Sequence, residues 1–167
     1  MQMDSLEKLF IEQLKDIYNA EKQIVRALPR MAKAATDEEL QEAFTTHLRQ
    51  TEKQVERLEE IFKEIGKPPQ GKKCVGMEGV LEEGKELLQE DTEEEVLDAG
   101  LIGAAQKVEH YEMAAYGCLK TYARLLGHDK AVRLLEETLK EEKEADKILT
   151  EIAERSINVE AMHTDEQ

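Results

Sequence analysis

Two carboxylates interrupt an otherwise apolar helical pattern in the segment KVEHYEMAAY, residues 107 to 116. Glu109 and Glu112 lie at positions whose spacing is typical of the buried face of a helix. Burial of an unpaired ionised carboxylate is strongly unfavourable, so two of them on such a face require a partner that neutralises them. Carboxylate oxygens are also the ligands that hard and borderline divalent cations prefer.

The same kind of interruption occurs on three other predicted helices. Each of four long helices carries an apolar stripe with steps of three and four residues, and each stripe is broken by side chains that can bind metal or support those that do. No lysine or arginine occupies these stripes. We therefore predict two divalent cations bridged by carboxylates, with Glu109 and Glu142 bridging and the other ligands terminal. The predicted ligand set is Glu21, His47, Glu109, Glu112, Glu142 and Asp146.

These ligands are predicted to share one depth in the bundle. Counted from a turn near residue 36, Glu21 lies about 15 residues before it and His47 about 11 residues after it, at 1.5 Å rise per residue. From a second turn near residue 128, the two glutamates of the third long helix lie about 19 and 16 residues back, and the two carboxylates of the fourth about 14 and 18 residues forward. All six are therefore expected near the middle of the bundle.

Helix-start and helix-stop signals divide the chain into four long helices and one short one. Capping boxes with Thr36 and Thr92 as N-caps mark the starts of the second and third long helices. Pro29 is expected to kink the first helix or cut it short. The predicted helices span about residues 4–35, 36–66, 77–91, 92–127 and 128–156.

The connections between these helices predict the fold. Two hairpins have short turns, whereas about 27 residues separate the second long helix from the third, enough to traverse the bundle lengthwise. The predicted fold is all-α, an antiparallel four-helix bundle whose long crossover contains a short helix. We expect one domain over residues 1–157, followed by a flexible acidic tail at residues 158–167.

Charge and cysteine content restrict the partners and the compartment. The chain has 38 acidic and 23 basic residues, a formal charge of -15, which argues against nucleic acid and anionic membranes as partners. Only Cys74 and Cys118 are present, and no disulfide framework or CxxC pattern occurs, so we expect a cytoplasmic protein. Cys118 is expected to be buried, and Cys74, in a loop, to be the more reactive thiol.

The sequence allows two interpretations of some polar residues. The interrupted stripes could face the boundary of the bundle and not its core, and His47 could be a hydrogen-bonded core residue without a ligand role. Gln50, Gln54, Tyr116 and Glu78 could contribute to the site or serve only packing and capping.

Five segments carry a resemblance to a known family: IYNAEKQIVRALPRMAKA (17–34), HLRQTEKQVERLE (47–59), KCVGMEG (73–79), AAQKVEHYEMAAYG (104–117) and LLEETLKEEKEADKILTEIA (134–153). Over nearly its whole length the chain resembles the YciE/YciF family of stress-associated, ferritin-like bacterial proteins. The resemblance implies a ferritin-like bundle, a dinuclear iron centre, a homodimer and a role in stress responses.

The predicted ligands depart from the usual di-iron pattern, in which two helices give one Glu each and two give Glu-x-x-His. Here His47 is the only histidine of the set, so manganese and zinc stay alternatives to two iron ions. The functional hypothesis is ferroxidase or peroxide chemistry at a dinuclear centre. The alternative is a helical stress protein that acts by binding a partner, with a vestigial or structural metal site.

Overall fold

The chain folds into long helices joined by short turns and one crossover, in a computed structural model that describes residues 3–163. No strand occurs among these residues, so the predicted all-α class is confirmed. The helices are α1 (Leu6–Ala34), α2 (Glu38–Glu64), α3 (Val75–Leu87), α4 (Glu94–Leu125), α5 (Asp129–Ile152), a π-helical turn (Ala153–Ile157) and α6 (Asn158–Met162).

The four long helices pack as a bundle, which confirms the predicted helical packing. Helix α1 contacts α2 and α4, and α5 also contacts α2 and α4. Ion pairs show the antiparallel course of α2 and α5: Lys130 pairs with Glu60 at 3.1 Å, and Arg155, just beyond the end of α5, pairs with Glu39. The assignment to the ferritin-like class stays a prediction at this point.

The crossover lies along α1 and α4. The Lys72 amide donates to the Lys15 carbonyl at 3.1 Å, and α3 then packs on α4 and α1. The approach of α3 to α4 is close, since a Cβ on Gly100 would lie 2.6 Å from the Leu87 side chain, and one on Gly76 would lie 2.8 Å from the Tyr111 ring. The predicted short helix is thus present, and glycine permits its contact with α4.

The predicted helix starts were wrong in detail. Asp37, and not Thr36, is the N-cap of α2, because its carboxylate accepts from the Leu40 amide at 2.8 Å. Glu93, and not Thr92, precedes α4, and it makes no side-chain cap. Pro29 does not cut α1 short, since the helix continues to Ala34.

The predicted burial of Cys118 and the predicted reactivity of Cys74 were both wrong. Cys74 is fully buried and forms the N-cap of α3, with its thiol 3.1 Å from the Asp16 carboxylate and from the Tyr111 hydroxyl. Burial raises the pKa of this thiol, which makes it less reactive. Cys118, expected to be buried, is exposed on α4.

Helical structure continues beyond the predicted domain boundary at residue 157. Residues 158–162 form α6, so this part of the predicted tail is helical, while residues 164–167 lie outside the described part of the chain. The flexibility of the tail stays a prediction. None of the helices between residues 3 and 163 combines the length and the apolar character that crossing a bilayer requires.

A buried carboxylate ties the α1–α2 turn to α4. Asp98 is 2% exposed and accepts from the Thr36 amide at 2.9 Å, the Thr36 hydroxyl at 2.7 Å and the Asp37 amide at 2.8 Å. Thr36 therefore donates to α4 and does not cap α2. This contact fixes the depth of the α1–α2 hairpin relative to α4.

We predict that Asp98→Ala lowers the free energy of unfolding by about 2–4 kcal/mol, because it removes three hydrogen bonds that a buried carboxylate accepts. Urea unfolding at pH 7 measures the effect. The control is Glu52→Ala, an exposed position on α2, which should change stability by less than about 0.5 kcal/mol. Equal effects of the two substitutions would contradict the structural role of Asp98.

Candidate metal centre

Four buried side chains meet in the core of the bundle. His47 comes from α2, Glu109 and Glu112 from α4, and Glu142 from α5, and one ligand atom of each lies within 4.8 Å of the others. His47 is 6% exposed, Glu109 is 2% exposed, and Glu112 and Glu142 are fully buried. These positions are therefore core and not boundary, which decides one of the alternatives left by the sequence.

The sequence brings these groups together through helical periodicity. Glu109 and Glu112 are three residues apart and so share one face of α4. His47 Nε2 lies 3.0 Å from Glu109 Oε1 and 3.7 Å from Glu142 Oε2, so the ring reaches both α4 and α5. Four of the six predicted ligands, from three helices, therefore converge in the structure.

Glu21 of α1 lies beside this group. It is fully buried, one of its oxygens accepts a hydrogen bond from the Tyr116 hydroxyl, and the Glu112 carboxyl lies within hydrogen-bonding reach of it. Glu21 is thus the fourth buried carboxylate in the core. Tyr116, which the sequence left undecided, positions Glu21 from the opposite helix hairpin.

Most polar atoms of the cluster have no hydrogen-bond partner outside the cluster. Within residues 3–163, no lysine or arginine pairs with the four buried carboxylates, and His47 is the one basic group that approaches them. An unpaired buried oxygen is strongly unfavourable, and a divalent cation among these atoms would satisfy several at once. The unpaired atoms are Glu21 Oε2, His47 Nε2, Glu109 Oε2, both Glu112 oxygens and Glu142 Oε2.

Burial changes the protonation of all four carboxyls. Loss of hydration raises the pKa of Glu21 to about 8 and that of Glu109 to about 7. The pKa values of Glu112 and Glu142 are raised well above the usual range, first by burial and then by neighbouring carboxyls. Without a cation, the cluster therefore keeps several protons at neutral pH, and a bound cation would displace them.

Two glutamines hold the ligand side chains in place. The Gln54 amide donates to Glu142 and, at 3.0 Å, to Glu141, whose carboxylate receives two hydrogen bonds from Arg57 at 2.7 and 2.8 Å. Gln50 Oε1 lies 3.4 Å from His47 Nδ1, which leaves Nε2 directed toward the carboxylates. Contacts of this kind orient metal ligands in proteins. Arg57 was not predicted from the sequence, where its only signal is its position one helical turn after Gln54.

Two candidate residues lie away from the four-residue group. Asp146 is 22% exposed and its Oδ1 is 3.2 Å from His110 Nε2, although its charge still acts on Glu109. Its ligand role stays a prediction. Glu78 is exposed and pairs with Lys73 at 2.9 Å, so it is not brought to the site. His110, expected outside the core, is 66% exposed.

Nearly the whole chain is similar to known proteins. A family described as "Domain of unknown function (DUF892)" matches residues 5–162. Protein YciF of Escherichia coli (strain K12) is 47% identical over 162 residues, which are 96% of this chain and 98% of YciF.

Solved structures show the same similarity. The crystal structure of the E. coli stress protein YciF has a TM-score of 0.90 at 47% identity and covers 93% of this chain and 99% of its own. YcfI of Rhodopseudomonas palustris has a TM-score of 0.87 at 44% identity, covering 89% of this chain and 95% of its own. The helical packing is therefore shared with two solved relatives.

We predict that the metal-free protein loses stability as the pH rises from 5 to 8. The folded-state pKa values are raised above the unfolded value of about 4.3, so the folded state holds more protons and the free energy of unfolding falls with pH. One linked proton gives about 1.4 kcal/mol per pH unit.

Urea unfolding in the presence of a chelator measures this slope. Glu112→Gln removes one buried ionisable group and should make the slope shallower, whereas Glu136→Gln on the exposed face of α5 should leave it unchanged. Stability that is constant or rises over this pH range would contradict the assigned protonation.

Proposed function

The chain belongs to the DUF892 family and is related to YciF, and on that basis we propose that it is a stress-associated protein that holds a dinuclear metal centre in a ferritin-like bundle. The observation that supports this most strongly is the set of buried ligand atoms on His47, Glu109, Glu112 and Glu142, most of which have no hydrogen-bond partner outside the cluster. Oxygen atoms and one imidazole nitrogen form a donor set suited to iron or manganese.

The two metal ions would be held mainly by the four-residue group and Glu21. Glu109 and Glu142 are suited to bridging because they face each other from α4 and α5 beside His47. Asp146 is a further terminal ligand in this proposal if its side chain turns inward from His110. A homodimer, as the family resemblance implies, and a cytoplasmic location belong to the same proposal.

A bound iron pair would supply the redox chemistry for oxidation of ferrous iron or consumption of peroxide. The protein's own contribution is to direct His47 Nε2 toward the carboxylates through Gln50, to fix Glu142 through Gln54, and to hold Glu21 through Tyr116. Burial keeps bulk water from these groups. These contacts position the donor atoms before any cation arrives, which lowers the conformational cost of binding.

We predict about two metal ions per chain after anaerobic loading with ferrous iron or manganese, measured by elemental mass spectrometry. Glu112→Gln and Glu142→Gln should each lower the content to one ion or fewer, because each removes an anionic ligand from the buried group. Glu136→Gln, which changes an exposed carboxylate of the same helix as Glu142, should bind metal like the wild type. Equal metal content in all four proteins would contradict the site.

Metal binding is predicted to release protons near pH 6.5, since raised pKa values leave several carboxyls protonated before binding. Calorimetric titration in buffers of different ionisation enthalpy measures the number released. We expect at least one proton per chain in the wild type and fewer in Glu112→Gln. Binding without proton release would show that the cation binds elsewhere.

Turnover assays separate the two functional hypotheses. Oxygen or peroxide consumption by the iron-loaded protein, lost in Glu142→Gln, would support the oxidoreductase hypothesis. Metal binding that raises the unfolding temperature without any turnover would instead support a structural metal in a protein that acts by binding a partner.

A further inference from the structure

An apolar cavity of about 240 Å³ opens beside the candidate metal centre. His47 and Glu109 form one part of its wall, and most of the remaining wall is aliphatic or aromatic, including Leu28, Phe44 and Leu149. The cavity is larger than an engineered apolar cavity of about 150 Å³ that binds benzene. It therefore has room for an organic group in contact with the two ligand side chains.

A second cavity, of about 370 Å³, adjoins the first and lies between α1, α3 and α4. The two cavities share four wall residues. We call the second cavity the outer cavity and the first the inner cavity. The outer cavity is more basic, because Arg26, Arg30 and Lys85 contribute to its lining. The shared wall consists of Ala27, Met31, Leu81 and Val108.

The outer cavity offers uncompensated positive charge. Its two glutamates are paired, Glu78 with Lys73 at 2.9 Å and Glu82 with Lys85 at 3.1 Å. Arg26 and Arg30 are exposed on α1, and no carboxylate within residues 3–163 pairs with either of them. In a chain of net charge -15, two such arginines at the mouth of an apolar cavity favour an anionic ligand.

We propose that the two cavities together bind a single-chain carboxylate, with its head group at Arg26 and Arg30 and its apolar chain directed toward His47 and Glu109. Along the axis of α1, these arginines lie about 8 and 14 Å beyond Glu21, roughly the length of an extended chain of eight to twelve carbon atoms. The proposal that the carboxylate binds depends only on the two cavities. The further proposal that the metal centre acts on the end of the apolar chain depends on the proposed function.

Decanoate is the probe, titrated calorimetrically into the full-length protein as isolated and after chelation of metal. We expect saturable binding of one decanoate per chain. Arg26→Glu with Arg30→Glu should weaken it at least tenfold, while Arg133→Glu, an exposed arginine of α5 far from both cavities, should not. Equal affinity in the double variant and the control would overturn the assigned head-group site.

Two further comparisons test the part of the proposed site that binds the apolar chain. Decanol, which lacks the carboxylate, should bind at least tenfold more weakly than decanoate, and so should butyrate, which is too short to fill the inner cavity. Ala27→Phe, at a half-buried position of the shared wall, should abolish decanoate binding with no loss of metal content. Circular dichroism of each variant verifies folding, and Ala27→Leu replaces Ala27→Phe if the latter is unfolded.

The outcomes separate this proposal from the metal centre. Decanoate bound equally with and without metal supports the ligand site even if the metal content is zero. Two metal ions per chain with no saturable decanoate binding would overturn the ligand site and leave the centre intact. Binding of decanoate that is unchanged in Ala27→Phe would show that the chain does not pass between the cavities.

Discussion

The structure depends on how four carboxyls buried in one core are neutralised. Glu21, Glu109, Glu112 and Glu142 have no lysine or arginine partner among the described residues, and His47 is the basic side chain that lies next to them. Ionised carboxylates in such surroundings would oppose folding by many kcal/mol. The core is therefore stable only with protons or with cations in place, and the raised pKa values describe the first of these states.

The helices around the cluster are held at fixed depths by polar contacts away from it. Asp98 joins the α1–α2 turn to α4, so Glu21 and Glu109 cannot slide past each other. Arg57 holds Glu141 with two hydrogen bonds, and this fixes α5 against α2 next to Glu142. Because each contact crosses between hairpins, local sequence determines the helices while these contacts determine their register.

The candidate site could be predicted from sequence because helical periodicity places interruptions of an apolar stripe in the core whatever the neighbouring helices are. Glu21, His47 and Glu142 are buried as predicted, whereas Asp146, predicted on the same basis, is only half-buried. Prediction from the sequence failed where tertiary contacts compete with local ones. Thr36 has the sequence of an N-cap but donates to Asp98, more than sixty residues away, and the burial of Cys74 follows from packing of the crossover.

The two sides of the buried carboxylate cluster differ in polarity, and this difference affects which molecules can reach the cluster. The cavity that adjoins His47 and Glu109 is mostly apolar, although Glu39, Glu42 and Glu144 also contribute to its wall. Asp146 is half-buried next to the exposed His110, on the polar side of the cluster, and its negative charge acts on Glu109. Carboxylate and imidazole at such a rim can replace hydration water step by step. Under the proposed function, a cation would therefore reach the centre from the side of Asp146, and the proposed organic ligand would lie in the cavity on the other side.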